Sequence, residues 1–186
     1  MSKPEQQLIN FQFEKNYERD NFFVSKSNFF AFSLIDSWPK WEKNIINIYG
    51  ENNCGKSHLS SIFKSKHKAE IIEEKYLNNE IFKKLKISQN IILENFNNIT
   101  DEKILFSFFN FIDQDNKFLI INSNLPMTSM KFNLKDLVSR VNNFISAEIK
   151  KPDDDLIFAL ILKNFSDKQI KIDKKVIDYI VKRIDR

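Results

Sequence analysis

Ile45-Ile46-Asn47-Ile48-Tyr49-Gly50-Glu51-Asn52-Asn53-Cys54-Gly55-Lys56-Ser57-His58-Leu59 is the stretch on which the fold turns. Its first five residues read as a buried strand, and the residues from Lys56 to about Lys64 read as a helix. Between them, Gly50 to Ser57 fits G-x-x-x-x-G-K-[ST] in the strand–loop–helix context that the pattern requires. Successive backbone N–H groups and the helix N-terminus would form a nest for phosphate oxygens. Gly50 and Gly55 let the backbone curl closely, with Asn53 and Cys54 between them. Lys56 would reach the β/γ-phosphates, and the Ser57 hydroxyl would ligate Mg²⁺. The chain has only these two glycines in 186 residues, where average usage near 7% would give about a dozen. That scarcity makes a chance match a weak rival.

Working outward, further apolar runs alternate with helical stretches. Strands are expected at 69–72, 90–94 and 118–122, with a short one at 146–149. Helices are expected at 78–86 and 101–113. Strands this apolar, interleaved with helices, predict an α/β fold with a parallel sheet covered on both faces. From Pro152 the character changes. Asp153-Asp154-Asp155 opens a helix whose charges suit the N-terminal dipole, and a second helix runs from about Lys174 onward. The expected organisation is therefore an N-terminal tail (1–18), an α/β domain (19–151) and a small helical unit (152–186).

Composition narrows the classes. Hydrophobic residues at 42% and charged residues at 29% exclude a disordered or collagen-like chain. The chain-wide excess of Lys, Asn, Ile and Phe reads as coding bias. The single cysteine, Cys54, excludes an internal disulfide and a cysteine-based zinc site, and fits a reducing compartment. The N-terminus has no apolar segment of signal-peptide type, and no apolar run reaches the ~18 residues of a membrane span. A cytoplasmic protein without membrane contact is expected. A net charge of +4 permits an anionic partner without requiring one.

A phosphate loop also needs an acidic residue at the end of a neighbouring strand to hold Mg²⁺. Glu94, after Ile91-Ile92-Leu93, is the candidate. The next position is Asn95, and an amide cannot accept a proton from water at neutral pH, so poor self-catalysed hydrolysis is expected. Asn124, after the fourth apolar run, would sit beside the γ-phosphate. Only four of the 29 basic residues are arginines, so Arg140 suggests planar, bidentate recognition, as in an arginine finger presented to a neighbour's nucleotide. Surface decoration or an intradomain ion pair is the alternative. Neither His58 nor His67 has partners at metal-ligand spacing. The pairs Phe22-Phe23, Phe29-Phe30 and Phe108-Phe109 read as core or domain-contact residues.

Together these pieces resemble the AAA+ module of the bacterial replication initiator DnaA, and more closely its regulatory homologue Hda (the HdaA form of α-proteobacteria). Asp20-Asn21-Phe22-Phe23-Val24-Ser25-Lys26-Ser27-Asn28 resembles the family's N-terminal nucleotide box, which implies that Phe23 and Val24 lie against adenine and ribose. Ser37-Trp38-Pro39-Lys40-Trp41, followed by the strand and Gly55-Lys56-Ser57-His58-Leu59, is Hda-like, and His58 joins the implied nucleotide-binding set. Leu134 to Arg140 matches the segment ending in the family's arginine finger. Pro152-Asp153-Asp154 and Val181 to Arg186 match the lid.

The resemblance implies an AAA+ fold with a helical lid, and ADP or ATP with Mg²⁺ as cofactors. It implies a negative regulator of replication initiation that acts with the DNA-loaded sliding clamp to make DnaA hydrolyse its ATP, with Arg140 inserted in trans and Asn124 as the first sensor. Its own ATPase would be weak or absent. DnaA and the clamp are the implied partners, with DNA and the nucleoid met indirectly through the clamp, and a homo-oligomer is open. Hda-type proteins also carry an N-terminal clamp-binding peptide, for which Gln7, Leu8 and Phe11 are the candidates. Asn10 stands at the usual leucine position, and Phe13 offers a further anchor. The family's helix-turn-helix DNA reader is not expected in residues 151–186. The second sensor arginine falls near Arg183 and Arg186, where a truncated lid and a naturally short one both fit. The rival readings are an autonomous helicase-loader-type ATPase and a scaffold that only holds ADP.

Overall fold

The computed structural model describes residues 17–97 and 101–184. Five strands, β1 (Ile45–Tyr49), β2 (Glu70–Glu73), β3 (Asn90–Phe96), β4 (Phe118–Ser123) and β5 (Ile145–Glu148), form one sheet in the order β2-β3-β4-β1-β5. All four pairings are parallel. A helix precedes β1, namely α1 (Phe29–Asp36), and four helices make the crossovers: α2 (Lys56–His67), α3 (Asn79–Leu85), α4 (Glu102–Gln114) and α5 (Lys135–Val141). Two more, α6 (Asp154–Asp167) and α7 (Lys174–Val181), follow the sheet.

The two-residue repeat of the strands sorts their side chains into two cores. Ile45, Ile91, Leu93, Leu119 and Ile121 face one way, onto Leu105, Phe108, Phe109 and Ile112 of α4 and Leu137 and Val141 of α5. Ile46, Ile48, Ile92, Ile120 and Ala147 face the other way, onto Ala31 and Ile35 of α1 and Leu59, Ile62 and Phe63 of α2. Strands buried on both faces explain the near-continuous apolar runs. Trp41 joins the second core by stacking on Phe63, ring centroids 5.6 Å apart, while its indole N–H donates to the Leu34 carbonyl at 2.7 Å. One polar residue is built into the first core. Asn47 donates from Nδ2 to the Ile121 carbonyl (3.1 Å) and to Ser123 Oγ (2.8 Å), and its Oδ1 accepts from the Met127 amide (2.9 Å). With every group paired, the amide ties β1 to the end of β4 without leaving an unsatisfied atom.

The helix pair α6–α7 closes over a small core of its own, Ile157, Ile177 and Val181. Its junction with the rest is polar. Asp153 caps α6 by accepting from the Leu156 amide at 2.9 Å, and its carboxylate faces the Ser25 hydroxyl and the amides of Lys26 and Ser27. Burial pushes the Asp153 carboxyl up, but the Leu156 amide and the facing Ser25, Lys26 and Ser27 donors outweigh it and hold the group below the usual carboxylate range.

Of the two alternatives expected for the phenylalanine pairs, core and domain contact, Phe29 and Phe30 do not meet the first. They stand 62% and 57% exposed at the start of α1, while Phe108 and Phe109 are fully buried. The helices α1 and α5 carry no expected element. Phe29-Phe30-Ala31-Phe32 is continuously apolar rather than periodic, and α5 spans only seven residues.

The cap at Asp153 makes a stability prediction. Asp153→Ala should lower unfolding free energy at neutral pH by about 1 kcal/mol, as for loss of an N-cap. Because the folded-state pKa lies below the unfolded one, the contribution is complete above the unfolded value and fades as pH falls through the folded one. Urea unfolding of wild type and variant at descending pH should show the gap closing.

Candidate nucleotide-binding site

At the C-terminal edge of the sheet, β1 leaves between its two neighbours. The Ile149 amide donates to the Tyr49 carbonyl (2.8 Å) from one side, and the Gly50 amide donates to the Ser123 carbonyl (3.3 Å) on the other. A Cβ on Gly50 would lie 2.4 Å from the Ile149 carbonyl oxygen and 2.9 Å from Cys54 Sγ, distances that no side chain tolerates. Gly55 holds φ +110°, a left-handed conformation suited to glycine, and α2 starts at the next residue. Asn53 is also left-handed, at φ 64°. Close approach excludes a side chain at Gly50, whose φ is also positive at +156°, whereas at Gly55 backbone conformation alone does so.

Lys56 curls over the loop. Its Nζ donates to the carbonyls of Gly50 (2.7 Å) and Glu51 (2.9 Å) and reaches Asn124 Oδ1 at 3.4 Å. Ser57 Oγ donates to Glu94 Oε2 at 3.1 Å. Glu94 is only 8% exposed, and its Oε1 accepts from Asn122 Nδ2 at 2.9 Å. The sequence-predicted residues Gly50, Gly55, Lys56, Ser57, Glu94 and Asn124 therefore converge at one edge. A cleft of about 540 Å³ opens there, walled by Tyr17, Asn52, Asn53, Gly55, Lys56, Ser57, His58, Asn95, Asn122 and Asn124. Phe23 and Val24 are not among its walls. The Phe23 carbonyl instead accepts from Asn28 Nδ2 at 2.9 Å, and Val24 is exposed. Cys54 sits partly buried under the loop, its sulfur 3.9 Å from Lys56 Nζ.

The arrangement suits a polyphosphate with a hard cation. A ring of amides, one ammonium and the start of α2 would bind phosphate oxygens. The residues present also fit Mg²⁺, since Ser57 and Glu94 offer hard oxygen donors side by side. Among the described residues no cluster of three or more His, Cys, Asp or Glu exists, so such an ion would lean on phosphate oxygens and water for the rest of its shell. Asn95 lines the cleft at φ 56°, where the β3–β4 pairing jumps from Leu93 to Phe96. The bulge turns this amide to the position beside the acid, where it supplies no base.

Three wall residues escape the sequence reading. Tyr17 meets the edge of the His58 ring at 5.3 Å, and His58 in turn packs on Phe22 at 5.1 Å. Asn52 and Asn122 complete the group. Tyr17 lies in a segment without regular structure, and Asn122 shares a short polar run with Asn124, so neither carries a signal of its own.

Arg140 lies elsewhere. Its guanidinium, 31% exposed, engages the Asp113 carboxylate and the Asn110 amide and stands 5.4 Å over the Phe106 ring. Asp113 also accepts from Asn44 Nδ2 at 2.9 Å. These groups border a cleft of about 310 Å³ with Lys43 and Ile45, at the opposite end of β1 from Gly50. At about 3.3 Å per strand residue, β1 alone separates the two ends by roughly 13 Å. The intradomain ion pair left open from the sequence is therefore formed. The clamp-peptide candidates Gln7, Leu8 and Phe11, with Phe13, lie outside the described residues, as does Arg186. Arg183 stacks on Tyr179 at 3.8 Å.

Sheet order, phosphate loop and helical pair together define a DnaA-like AAA+ fold. The curated relative "Chromosomal replication initiator protein DnaA" of Borreliella afzelii is 23% identical over 98% of this chain, and its Borreliella burgdorferi counterpart is 22% identical over 99%. The chain spans 44% of the length of each. Among solved structures, AMPPCP-bound DnaA from Aquifex aeolicus superposes with a TM-score of 0.73 at 22% identity, covering 90% of this chain and 60% of that one. Domain III of Thermotoga maritima DnaA gives 0.69 at 17% identity, covering 89% and 80%. DnaI gives 0.51 at 15% identity, covering 66% and 79%. No family model matches the chain. Among the described residues no helix is long and apolar enough to cross a membrane.

The loop geometry predicts that Gly50→Ala forces β1 away from Ile149. ADP affinity by isothermal titration calorimetry should fall at least about tenfold, the equivalent of 1.4 kcal/mol, with a lowered unfolding midpoint. Lys56→Ala should lose comparable affinity without the stability penalty.

Proposed function

We propose that this chain is a nucleotide-binding AAA+ regulator of chromosome replication initiation which, with the DNA-loaded sliding clamp, promotes hydrolysis of ATP held by DnaA. The observation that carries this reading is the separation of two functions on one sheet. The phosphate loop stands at the C-terminal edge, while Arg140 stands at the other end of β1, beyond reach of this chain's own loop. So placed, Arg140 cannot reach this chain's own phosphate loop, and if it meets a nucleotide that nucleotide is held by another molecule, as a finger acting in trans requires.

The loop's own chemistry supports the same division of labour. Glu94 can orient a metal shell, but Asn95 beside it cannot activate water, so ADP or ATP with Mg²⁺ serves to order the module rather than to be turned over. Asn124, 3.4 Å from Lys56, would sense the terminal phosphate. Gln7, Leu8 and Phe11 would dock on the clamp, bringing the protein to DNA and the nucleoid indirectly in the cytoplasm. The polar junction at Pro152–Asp153 would mark the boundary between the α/β domain and the lid.

An ATP-hydrolysis assay on DnaA, with and without DNA-loaded clamp, tests the reading. Wild type should accelerate hydrolysis only when clamp is present. Arg140→Ala should keep ADP binding but lose the stimulation, by about 10³-fold if the guanidinium acts as fingers do elsewhere. Unchanged stimulation would remove Arg140 from the mechanism. Robust turnover by the isolated protein, raised by DNA alone, would favour the loader instead. In a separate pull-down, alanine at Gln7, Leu8 and Phe11 together should abolish clamp capture while leaving calorimetric ADP binding unchanged.

A further inference from the structure

Asn122 is a buried polar residue of the site that neither the loop motif nor the strand-end acid accounts for. It is 1% exposed, near the end of β4, a strand whose Leu119, Ile120 and Ile121 are fully buried. Strand alternation puts its side chain on the α2 face together with Ile120. Both of its N–H bonds are used there: one donates to Ser60 Oγ in α2 at 2.7 Å, the other to Glu94 Oε1 in β3 at 2.9 Å. Its carbonyl oxygen Oδ1 is buried and has no hydrogen-bond partner among the described residues. A buried, unpaired acceptor is a standing cost that valine or alanine would not carry. The amide is therefore kept for its two donors.

What those donors do follows from the geometry of the acid. Glu94 is held from two sides, through Oε1 by Asn122 and through Oε2 by Ser57 Oγ at 3.1 Å. Without the first contact the carboxylate has one anchor left, and beyond it β3 bulges at Asn95. With it, the carboxylate plane is fixed and Oε2 stays turned to the Ser57 hydroxyl. Ser60, one helical turn beyond Ser57 on α2, fixes the amide in turn, so α2, β3 and β4 are clamped around a single acid.

We propose that Asn122 is a positioning residue that fixes Glu94 toward Ser57 and thereby makes nucleotide binding at this loop depend on Mg²⁺. This rests on the reading of the loop as an ADP or ATP site. Outer-shell partners of metal ligands typically contribute 10- to 100-fold in metal affinity, and that is the size of effect expected here.

The test is ADP affinity measured calorimetrically in the presence of Mg²⁺ and of EDTA, for wild type, Asn122→Ala and Asn122→Thr, with thermal unfolding followed for each. Wild type should gain affinity with Mg²⁺. N122A should bind ADP in EDTA within about twofold of wild type and lose at least about tenfold of the Mg²⁺-dependent gain. N122T, whose hydroxyl can still donate to Glu94, should recover part of that gain. In the Glu94→Gln background N122A should have no further effect on it, since coupled residues are not additive. A full Mg²⁺ gain in N122A would overturn the proposal, as would an equal loss with and without the metal or an N122T indistinguishable from N122A. Should N122A fail to fold, N122T against wild type decides, because an unaltered gain there with Asn122→Val equally unaltered refutes the role. Wild type that binds ADP without any Mg²⁺ gain also refutes it while sparing the nucleotide reading. Wild type that binds no ADP at all refutes that reading itself.

Discussion

The contact between the Gly50 backbone and the Ile149 carbonyl is the constraint around which the site is arranged. Because β1 lies between β4 and β5, its last residues are gripped on both sides, and the chain has to leave the sheet through a gap that admits no side chain. Gly50 alone fits. Once the backbone has turned there, the left-handed step at Gly55 aims the start of α2 back at the sheet edge. Lys56 and Ser57 then meet residues from β3 and β4 that are distant in sequence. The loop is therefore a consequence of strand order as much as of its own motif. The same eight residues after an edge strand would not be pressed against Ile149 or bring Lys56 to Asn124.

The second consequence of strand order is that the acid and the amide share a face. Ile92 pairs with Ile120 and Leu93 with Ile121, so Glu94 and Asn122 come next on adjacent strands, both toward α2. The bulge follows at once, and its cost in ladder bonds is accepted where a side chain has to be re-aimed. Asn95 adopts a left-handed conformation there, which asparagine tolerates better than most residues. That conformational tolerance is a physical reason for an amide at this position, independent of catalysis, and the amide itself supplies no base.

Most of the architecture could be read from the chain because its signals are local. The strand runs at 45–49, 90–94 and 118–122 fall within two residues of the observed limits, and the expected fifth strand is displaced by one. The loop motif singled out Gly50, Gly55, Lys56 and Ser57, which the fold gathers at one edge of the sheet. The helix α1 was not legible, since an apolar run without period cannot be told from a strand. Nor was the role of Asn122, which depends on the pairing register of β3 with β4. Tyr17 reaches the cleft through ring packing on His58, a tertiary contact with no sequence counterpart. Arg140 illustrates both sides of the matter: rarity singled it out, but only the fold places Asp113 and Asn110 around it and sets it at the far end of β1.

That placement bears on how such a residue could act. A guanidinium engaged by a carboxylate and an amide and lying over the Phe106 ring is already oriented, so little rotamer entropy remains to be lost when it meets an anion. The same partners also compete with that anion. Asp113 neutralises part of the charge that a transferring phosphoryl group would need, and a visiting phosphate has to outbid it. Arg140 is thus held by Asp113 and Asn110 of α4, and the first residue of that helix, Glu102, anchors the turn into α5. The amides of Asn133 and Leu134 hold the Glu102 carboxyl below its usual range while fixing the turn into α5. The nucleotide loop sits at the other end of the sheet and shares none of these contacts. The two ends are joined by β1, whose Asn47 ties it to the end of β4, and by β3, which carries Glu94 and leads into α4, where Asp113 and Asn110 meet Arg140.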